Sequence, residues 1–432
     1  MKFRSFPLAV TFALTASALP LLAQQPDLSS LITMPEAGAG VSPLQQSDDY
    51  TKTQAQAHAE SKKAFSVTAS VREQYDDNIY TSHDNKVSDY TTIAEPSFLF
   101  NYPMTDTLLS ARYTFDATAY AKRDKTFDTA HDLTMRVNQT FSSRFNLDAR
   151  DRVHYSNQPE IDSGSVVNRV AGTYFNNTFS LQGTTQWTPK LSTVTSYTND
   201  YFTYDDPTVA ATDNRDSHTL QHDFRYTLTP TVTLVNGGSI NALFYDHKVT
   251  STVFGTLTSR NWTSFTGYTG ADWTALPELT LGVRGGGVYT TYDANLKDSL
   301  APYASFFTTW QAGAKSTLDF NYMHSVSPTD LSSYSSATSD SVSLTGTYKF
   351  TPKLTGRLQG SYTMNTSTSS TAITAGAGTY HENTLGVTTG LGYDFTQYLN
   401  LNVGYSLTNV GSDAISSSYN RNQVSLGLTA SF

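Results

Sequence analysis

The sequence predicts an all-β fold, a single transmembrane antiparallel up-and-down β-barrel of about eighteen strands. Three observations predict it. Apolar and polar residues alternate with a period of two from Phe65 onward, short turns alternate with long polar loops, and the chain begins with the pattern of an export signal. A strand with this alternation places one face against an apolar medium and the other against a polar one. Because unpaired sheet edges in lipid cost several kcal/mol per group, such strands must close into a barrel.

The last strand, residues 420–432, has the clearest alternation. One face carries the apolar residues Val424, Leu426, Leu428, Ala430 and Phe432, and the other carries Ser425, Gly427, Thr429 and Ser431. The final aromatic residue is similar to the signal read by the outer-membrane assembly machinery of Gram-negative bacteria. This strand therefore predicts a membrane-insertion signal. It is also expected to pair antiparallel with the first strand, residues 65–75, and so close the barrel.

The composition excludes several classes of protein. The chain has 432 residues, no cysteine and a formal net charge of −9. The lack of cysteine excludes disulfides and cysteine-based metal or redox sites, and the acidic balance argues against nucleic acid as the main partner. Only 15% of residues are charged, whereas the chain contains 27 Tyr and 23 Phe. Interface aromatics and small polar inward-facing residues are what a membrane barrel requires.

Two segments precede the predicted barrel. Residues 1–23 contain Lys2 and Arg4 followed by an apolar stretch that ends at Ala23, which is the pattern of a secretory signal peptide. Residues 24–63 are rich in Gln, Ala, Ser and Asp and are too polar to bury a core, which predicts a disordered periplasmic tail. A plug inside the barrel is the alternative for this tail. Residues 64–432 are then expected to form the outer-membrane barrel.

Eight short turns and nine longer loops alternate along the barrel segment. The short turns fall at residues 102–106, 142–144, 188–190, 229–231, 275–278, 311–314, 351–353 and 396–398. The loops fall at 76–89, 122–130, 157–170, 205–216, 247–260, 294–299, 327–340, 367–379 and 412–419. This pattern predicts eighteen strands with both termini at the short-turn end. Sixteen strands is the alternative, because the stretches 191–204 and 232–246 alternate poorly.

Aromatic residues near both ends of the predicted strands indicate two membrane interfaces. Those near the short turns are Tyr102, Phe141, Trp187, Trp310, Phe350, Phe395 and Tyr398. Those near the long loops are Tyr75, Tyr120, Tyr155, Tyr204, Tyr245 and Tyr292. A soluble sheet has no physical need for this two-sided placement.

The first hairpin carries a short motif. Tyr75, Asp76, Asp77 and Asn78 are followed by Asp89 and then by Glu95-Pro96 and an apolar strand. This pattern resembles the putative β-barrel porin 2 family of Gram-negative bacteria. The resemblance covers about residues 65–432 and implies an outer-membrane barrel, in some members linked to exopolysaccharide export. It implies no catalytic residues.

Alternation also predicts which charged residues line the inside of the barrel. The inward-facing set is Arg72, Arg112, Arg136, Arg150, Arg152, Arg225, Arg284, Arg357, Glu95, Asp116, Asp148, Asp223 and Asp319. An arginine facing lipid at mid-membrane would cost about 2–4 kcal/mol, which favours the inward placement. If the loop before the fourth strand is centred near residue 126, Asp116 opposes Arg136, which in turn opposes Arg150. Such a row is either a charged constriction that selects solutes or a solvated row of ion pairs.

The remaining polar clusters predict no catalysis and no cofactor. The acidic loops could hold Ca²⁺, but the spacing of a calcium-binding loop is absent, and solubility explains them better. His218 and His222 lie four residues apart on a strand, about 13 Å, so that one metal ion cannot join them. Gly285, Gly286 and Gly287 lie within a strand and indicate a bend or a close approach rather than a phosphate-binding loop.

The sequence thus predicts an outer-membrane porin-like channel for passive diffusion of small polar solutes. A barrel associated with exopolysaccharide export and a closed structural or surface-interaction barrel are the alternatives. The expected partners are the lipid bilayer with its lipopolysaccharide, the outer-membrane assembly machinery, and small polar solutes or polysaccharide. No enzyme activity is expected.

Overall fold

A computed structural model describes residues 64–123, 127–157, 173–250, 257–293, 296–327, 333–373, 378–413 and 418–432. The predicted signal peptide, residues 1–23, and the predicted tail, residues 24–63, lie outside the described residues. The gaps within the barrel segment fall in the predicted long loops, except that residues 171 and 172 lie just beyond the loop predicted at 157–170.

The described chain consists almost entirely of long strands. They are β1 (Phe65–Asp76), β2 (Asp89–Pro103), β3 (Thr107–Tyr120), β4 (Phe127–Ser142), β5 (Phe145–Ser156), β6 (Tyr174–Gln186), β7 (Leu191–Tyr204), β8 (Arg215–Thr229), β9 (Val232–Tyr245), β10 (Val249–Thr250), β11 (Leu257–Thr258), β12 (Trp262–Leu276), β13 (Leu279–Tyr292), β14 (Ser299–Trp310), β15 (Ser316–Ser327), β16 (Ala337–Lys349), β17 (Leu354–Ser367), β18 (Tyr380–Asp394), β19 (Leu399–Ser412) and β20 (Tyr419–Ser431). One short helix, α1 (Pro207–Asp213), follows β7, and one 3₁₀ turn (Ser369–Thr371) follows β17. None of the described helices is long and apolar enough to span a membrane.

Eighteen strands form one closed antiparallel sheet, and β10 and β11 form a separate small hairpin in a loop. Each barrel strand pairs with the next along the chain, and β9 pairs with β12. The ring closes between β20 and β1, where the pairing runs from Thr68 opposite Ser431 to Asp76 opposite Gln423. The predicted strand number of eighteen and the predicted pairing of the last strand with the first are therefore confirmed, and sixteen strands is wrong.

The strand register sets the width of the barrel. The stagger of the strands is the distance along β1 between the start and the end of one path through paired residues around the ring. This stagger is about 22 residues. With the ordinary spacings of strands and residues, this stagger gives a strand tilt of about 40° and a backbone radius of about 18 Å. Barrels of this strand number are wide enough to enclose water between inward-pointing side chains.

Four of the short turns share a threonine that accepts two backbone hydrogen bonds. In the Thr-Pro-Lys turns, Thr188 Oγ1 accepts from the backbone N–H groups of Lys190 and Leu191. Thr351 Oγ1 likewise accepts from the backbone N–H groups of Lys353 and Leu354. Thr229 and Thr396 do the same in their turns. The proline fixes the backbone after the threonine in three of these turns, and the hydroxyl satisfies backbone donors that the ladder leaves unpaired.

The aromatic residues near the short turns face outward as predicted. Among them, Trp187 is 59% exposed and Phe141 is 60% exposed. At the long-loop end the prediction holds for Tyr75 and Tyr155, but Tyr204 and Tyr245 are buried. Those two lie on the inward face together with Tyr120 and Tyr292. Their strands run long enough that the alternation turns the last tyrosine inward, where it packs against loop residues.

Two of the long loops pack together over these inward-facing aromatic residues. The Arg260 guanidinium is fully buried, stacks 4.2 Å from the ring centroid of Tyr245, and donates to the backbone oxygen of Thr212. Thr212 belongs to α1, whose first turn is capped by Asp206. The backbone N–H of Thr208 donates to Asp206 and holds the pKa of that carboxyl below its usual range. These contacts fix the loops after β7 and β9 at the long-loop end.

Candidate functional site: the inner wall and the barrel seam

Exposed apolar side chains identify the outward face of each strand. Val71 on β1 is 52% exposed and Leu428 on β20 is 48% exposed, whereas their neighbours Arg72 and Gly427 pair on the other face. Because successive side chains alternate, the same comparison can be made on every strand. It places on the inward face Arg72, Glu95, Arg112, Asp116, Arg136, Asp148, Arg150, Arg152, Asp223, Arg225, Arg284, Asp319 and Arg357.

The predicted row of Asp116, Arg136 and Arg150 is half right. Arg136 lies opposite Arg150 across β4 and β5, as predicted. Asp116, however, lies opposite Ala130, and Arg136 lies opposite Ser110. The loop between β3 and β4 is centred about three residues earlier in the chain than the sequence predicted, which shifts the register of the two strands. β4 begins at Phe127, inside the stretch predicted as loop, and the ion pair of 2.5 Å between Arg123 and Asp128 stabilises this earlier start.

Asp148 takes the place predicted for Asp116. Its Oδ2 accepts hydrogen bonds from Arg136 Nε at 2.8 Å, from Arg136 Nη2 at 2.6 Å, and from the Asn138 amide at 2.8 Å. Its Oδ1 lies 3.3 Å from Arg150 Nε. The Asp148 side chain is only 4% exposed, whereas that of Arg150 is 30% exposed. One carboxylate thus holds two guanidinium groups on the inner wall, so that this cluster carries one net positive charge.

Sequence reasoning could have found the role of Asp148. Residues two apart on a strand lie side by side on one face, so Asp148 and Arg150 are intrinsic neighbours. Farther along the same strand, Arg152 Nε lies 2.6 Å from Asp132 Oδ2 of β4, and His154 Nδ1 lies 3.3 Å from the same oxygen. The paired strands β4 and β5 therefore present a continuous strip of ion pairs to the lumen.

A second cluster lies on β8, β9 and β12. Tyr268 donates its hydroxyl to Asp223 Oδ1 at 2.5 Å, and Gln221 donates its amide to the Tyr268 oxygen at 2.9 Å. Gly237 lies between Asp223 and Tyr268 in the register of the three strands. A Cβ at Gly237 would overlap Asp223 Oδ1 and lie 2.8 Å from the Tyr268 ring. The absence of a side chain at Gly237 is what allows the phenol to lie flat on the wall and reach the carboxylate.

A third cluster lies on the wall beside the second, around Asp272 of β12. Asp272 bridges two arginines, with its oxygens 2.5 Å from Arg225 Nη2 and 2.6 Å from Arg284 Nη2. Gly270 lies opposite Arg284, and a Cβ there would lie 2.8 Å from the Arg284 side chain. Gly286, in the predicted glycine run, would likewise overlap the Gly267 backbone if it carried a Cβ. The close approach predicted at this run is therefore confirmed, and the pairing of β13 with β12 continues through it without a register shift.

Two predicted wall arginines differ from the others. Arg112 and Arg357 are half-buried on the inward face, and neither forms an ion pair within the part of the chain that the structure describes. By contrast, an aspartate lies within ion-pair distance of each of Arg136, Arg150, Arg152, Arg225 and Arg284. The guanidinium groups of Arg112 and Arg357 therefore add positive charge to the inward face.

The motif of the first hairpin lies at the barrel seam. Asp76 Oδ2 accepts hydrogen bonds from Arg421 at 2.8 and 2.5 Å and from the Gln423 amide at 3.0 Å. Asp77 accepts from the backbone and the side-chain amide of Asn422, both at 2.7 Å. Three consecutive residues of β20 are thus bound by two consecutive residues at the end of β1.

The rest of the motif holds the first two loops against this seam. The Asn78 side chain is fully buried, donates to the backbone oxygens of Ser82 and Asn420, and accepts from the Ser82 N–H. Asp89 is also fully buried and accepts from the backbone N–H groups of Lys122 and Arg123.

Burial lowers the pKa of Arg123, but the hydrogen bond and charge of Asp128 outweigh it, so its pKa lies above the ordinary value.

Pro96 marks an interruption of the ladder between β2 and β3. The pairing of these strands breaks after Ala94 and resumes at Ser97, whereas on the other side Pro96 still faces Ala69 of β1. Proline has no N–H to donate, which explains the interruption. Its position in the motif is therefore structural.

The described residues contain no group of three or more His, Asp or Glu side chains that could hold a metal ion. His218 and His222 both lie on the outward face of β8, each bound through Nδ1 to a hydroxyl of β7. Neither contributes to the inner wall.

A closed barrel of eighteen antiparallel strands, apolar outside and charged inside, defines an outer-membrane type of β-barrel. The family described as "Putative beta-barrel porin 2" matches residues 65–432, and the chain belongs to this family. The resemblance read from the first hairpin is thereby confirmed.

Several solved structures are similar to this chain at low identity. A BenF-like porin from Pseudomonas fluorescens Pf-5 is 12% identical, with a TM-score of 0.46 over 86% of this chain and 99% of that one. The outer membrane protein opdK from Pseudomonas aeruginosa is 10% identical, with a TM-score of 0.44 over 85% and 99% of the two chains. The siderophore receptor PirA from Pseudomonas aeruginosa is 11% identical, with a TM-score of 0.45 over 86% and 80%. No curated protein matches the chain.

Proposed function

We propose that this protein is an outer-membrane channel through which small polar solutes diffuse passively. The observation that carries the proposal is the closed ring of eighteen strands with a backbone radius of about 18 Å and a charged inner face. A water-filled passage of this kind needs no cofactor and no chemistry, because its radius and its lining charges determine which solutes pass. Membership in a porin family supports the same function.

Conductance of the purified full-length protein in a planar bilayer tests the proposal. Stepwise current increments are expected after insertion, together with swelling of proteoliposomes in solutions of small polar solutes. Folded protein that inserts into the bilayer and yet passes no current and no solute would contradict the proposal. Folding is checked independently by the shift in electrophoretic mobility between heated and unheated samples.

The double variant Arg136→Ser/Arg150→Ser tests whether the Asp148 cluster contributes to ion selectivity. Removing both guanidinium groups leaves Asp148 as an unbalanced negative charge on the wall. We expect the cation-to-anion permeability ratio, measured from the reversal potential in a salt gradient, to rise about twofold, the size of a partly screened charge effect. The matched control is Lys190→Ser/Lys353→Ser, which removes two positive charges from exposed short turns. An equal reversal potential in both variants would refute the selectivity role.

A further inference from the structure

The outer face of the barrel carries polar side chains at mid-height on one side. Asp151 on β5, Thr195 on β7, His222 on β8, Asn236 on β9 and Thr269 on β12 all lie on the outward face of their strands. With the stagger of the sheet taken into account, the five residues lie within about 5 Å of a single height. We call these five residues the polar band.

The polar band crosses the middle of the apolar surface. On β5, Asp151 lies between Phe145, near the short-turn end, and Tyr155, near the long-loop end, and both aromatic residues are exposed. On β8, His222 lies between Leu220 and Phe224, which are 47% and 53% exposed. The band is therefore flanked by apolar residues above and below and does not belong to either interface.

The hydrogen bonds of the polar band satisfy only part of its donors and acceptors. Asp151 Oδ1 accepts from the Asn177 amide at 2.6 Å, Thr195 Oγ1 lies 2.8 Å from His222 Nδ1, and Thr269 Oγ1 donates to Asn236 Oδ1 at 2.8 Å. Among the described residues, no Lys or Arg lies within ion-pair distance of Asp151. The carboxylate has a second oxygen and the imidazole a second nitrogen with which to bind an outside group.

The opposite side of the barrel is different at the same height. Its strands present exposed apolar side chains there, among them Val71, Tyr113, Leu358, Leu391, Val403 and Leu428. Lipid tails offer no hydrogen bonds, so the apolar side suits lipid, whereas the polar band requires a polar partner.

Glycines next to the polar band leave room for such a partner. Gly267 on β12 and Gly285 on β13 face outward, and a Cβ added at either would meet no atom within 4 Å. Packing within the barrel therefore does not require glycine at these positions. Small residues on a membrane-facing surface allow another protein backbone to approach closely.

We propose that the polar band is the contact surface for a second copy of this chain within the membrane. Copies inserted in one orientation are related by rotation about the membrane normal, which keeps every residue at its own height. The Asp151 carboxylate of one copy then meets the imidazole and amide donors of the other copy at one level, so the band is self-complementary. From β5 to β12 the band extends about 30 Å around the barrel, and β6 within it presents Leu181 at this height.

Cross-linking of single-cysteine variants tests the proposal directly, because the chain contains no cysteine of its own. Thr195→Cys and Thr269→Cys place a thiol in the polar band, and Leu358→Cys and Val403→Cys place one at the same height on the opposite side. In native outer membranes treated with a short bismaleimide, we expect the band variants to yield at least five times more product of twice the chain mass than the controls. Equal yields from all four variants, or products of another mass, would overturn the proposal.

The double variant Asp151→Leu/His222→Leu provides a second, independent measurement. It makes the surface compatible with lipid and leaves the inner wall and the seam intact, so the barrel is expected to fold. The dissociation constant of the dimer in lipid nanodiscs, measured by light scattering, should rise at least tenfold. An unchanged dimer fraction, or a wild-type protein that is monomeric, would contradict the inference. Neither readout depends on whether the barrel conducts.

Discussion

Replacing Asp76 by alanine is expected to lower the free energy of unfolding by about 3–5 kcal/mol, because it leaves Arg421 without its buried partner. The Asp76 side chain is only 2% exposed and accepts hydrogen bonds from Arg421, from Gln423 and from the backbone N–H of Asn78. These bonds hold the last strand to the first at the long-loop end of the seam. Urea unfolding in lipid vesicles, followed by tryptophan fluorescence and heat-dependent electrophoretic mobility, measures the loss.

The control for this substitution is Asp84→Ala, which removes an exposed carboxylate of the first loop. It should change the free energy of unfolding by no more than about 0.5 kcal/mol, as is usual for surface sites. Arg421→Ala should resemble Asp76→Ala, and the double variant should cost less than the two single losses combined, because the pair acts as a unit. Similar stabilities for Asp76→Ala and Asp84→Ala would show that the motif does not stabilise the seam.

Replacing Gly237 by alanine is expected to cost about 2–4 kcal/mol of stability through overpacking and a broken buried hydrogen bond. The added methyl group would overlap Asp223 and press against the Tyr268 ring, so the phenol could no longer reach the carboxylate. Both side chains are almost fully buried in the wall, with Asp223 at 2% and Tyr268 at 7% exposure. The same unfolding measurement in vesicles determines the effect.

Gly360→Ala is the matched control for Gly237→Ala. Gly360 also lies inside a barrel strand, but a Cβ at that position would meet no atom within 4 Å. A glycine-to-alanine change without a clash is neutral or slightly stabilising, since it restricts the unfolded chain. If the two variants had the same stability, the flat packing of Tyr268 over Gly237 would not contribute to the wall.

The residues of the family motif form contacts at the barrel seam and do not line the lumen. Asp76, Asp77 and Asn78 bind β20, and Asp89 binds the chain that follows β3. An up-and-down barrel has one junction between strands far apart in sequence, and no short turn connects them there. Side-chain hydrogen bonds hold the first and last strands together at that junction, where no turn joins them.

Local alternation was enough to predict the strands, the strand number and the inward face. The side-chain period of two is a property of each strand alone, so Arg136, Arg150 and Asp223 could be assigned to a face without knowledge of their neighbours. The order of short turns and long loops likewise determined that the last strand returns to the first. Arg421, Asn422 and Gln423, which bind Asp76 and Asp77 at the seam, were not predicted, because alternation does not reveal side-chain partners.

Which side chains meet across strands depended on the tertiary structure. Asp116 was paired wrongly with Arg136 because the register follows from where the loop ends, and β4 begins at Phe127, within the stretch predicted as loop. The flat packing of Tyr268 on Gly237 joins residues that come from separate hairpins. No periodicity within one strand reveals such contacts.

The sequence by itself therefore determined the class of fold, the number of strands and the face on which each side chain lies, because these follow from a two-residue repeat and from loop order. The tertiary structure alone decided which charges form ion pairs across neighbouring strands, and it alone brought Asp151 and His222 to one height. Those features depend on strand length, stagger and closure. They are properties of the whole sheet rather than of any one segment.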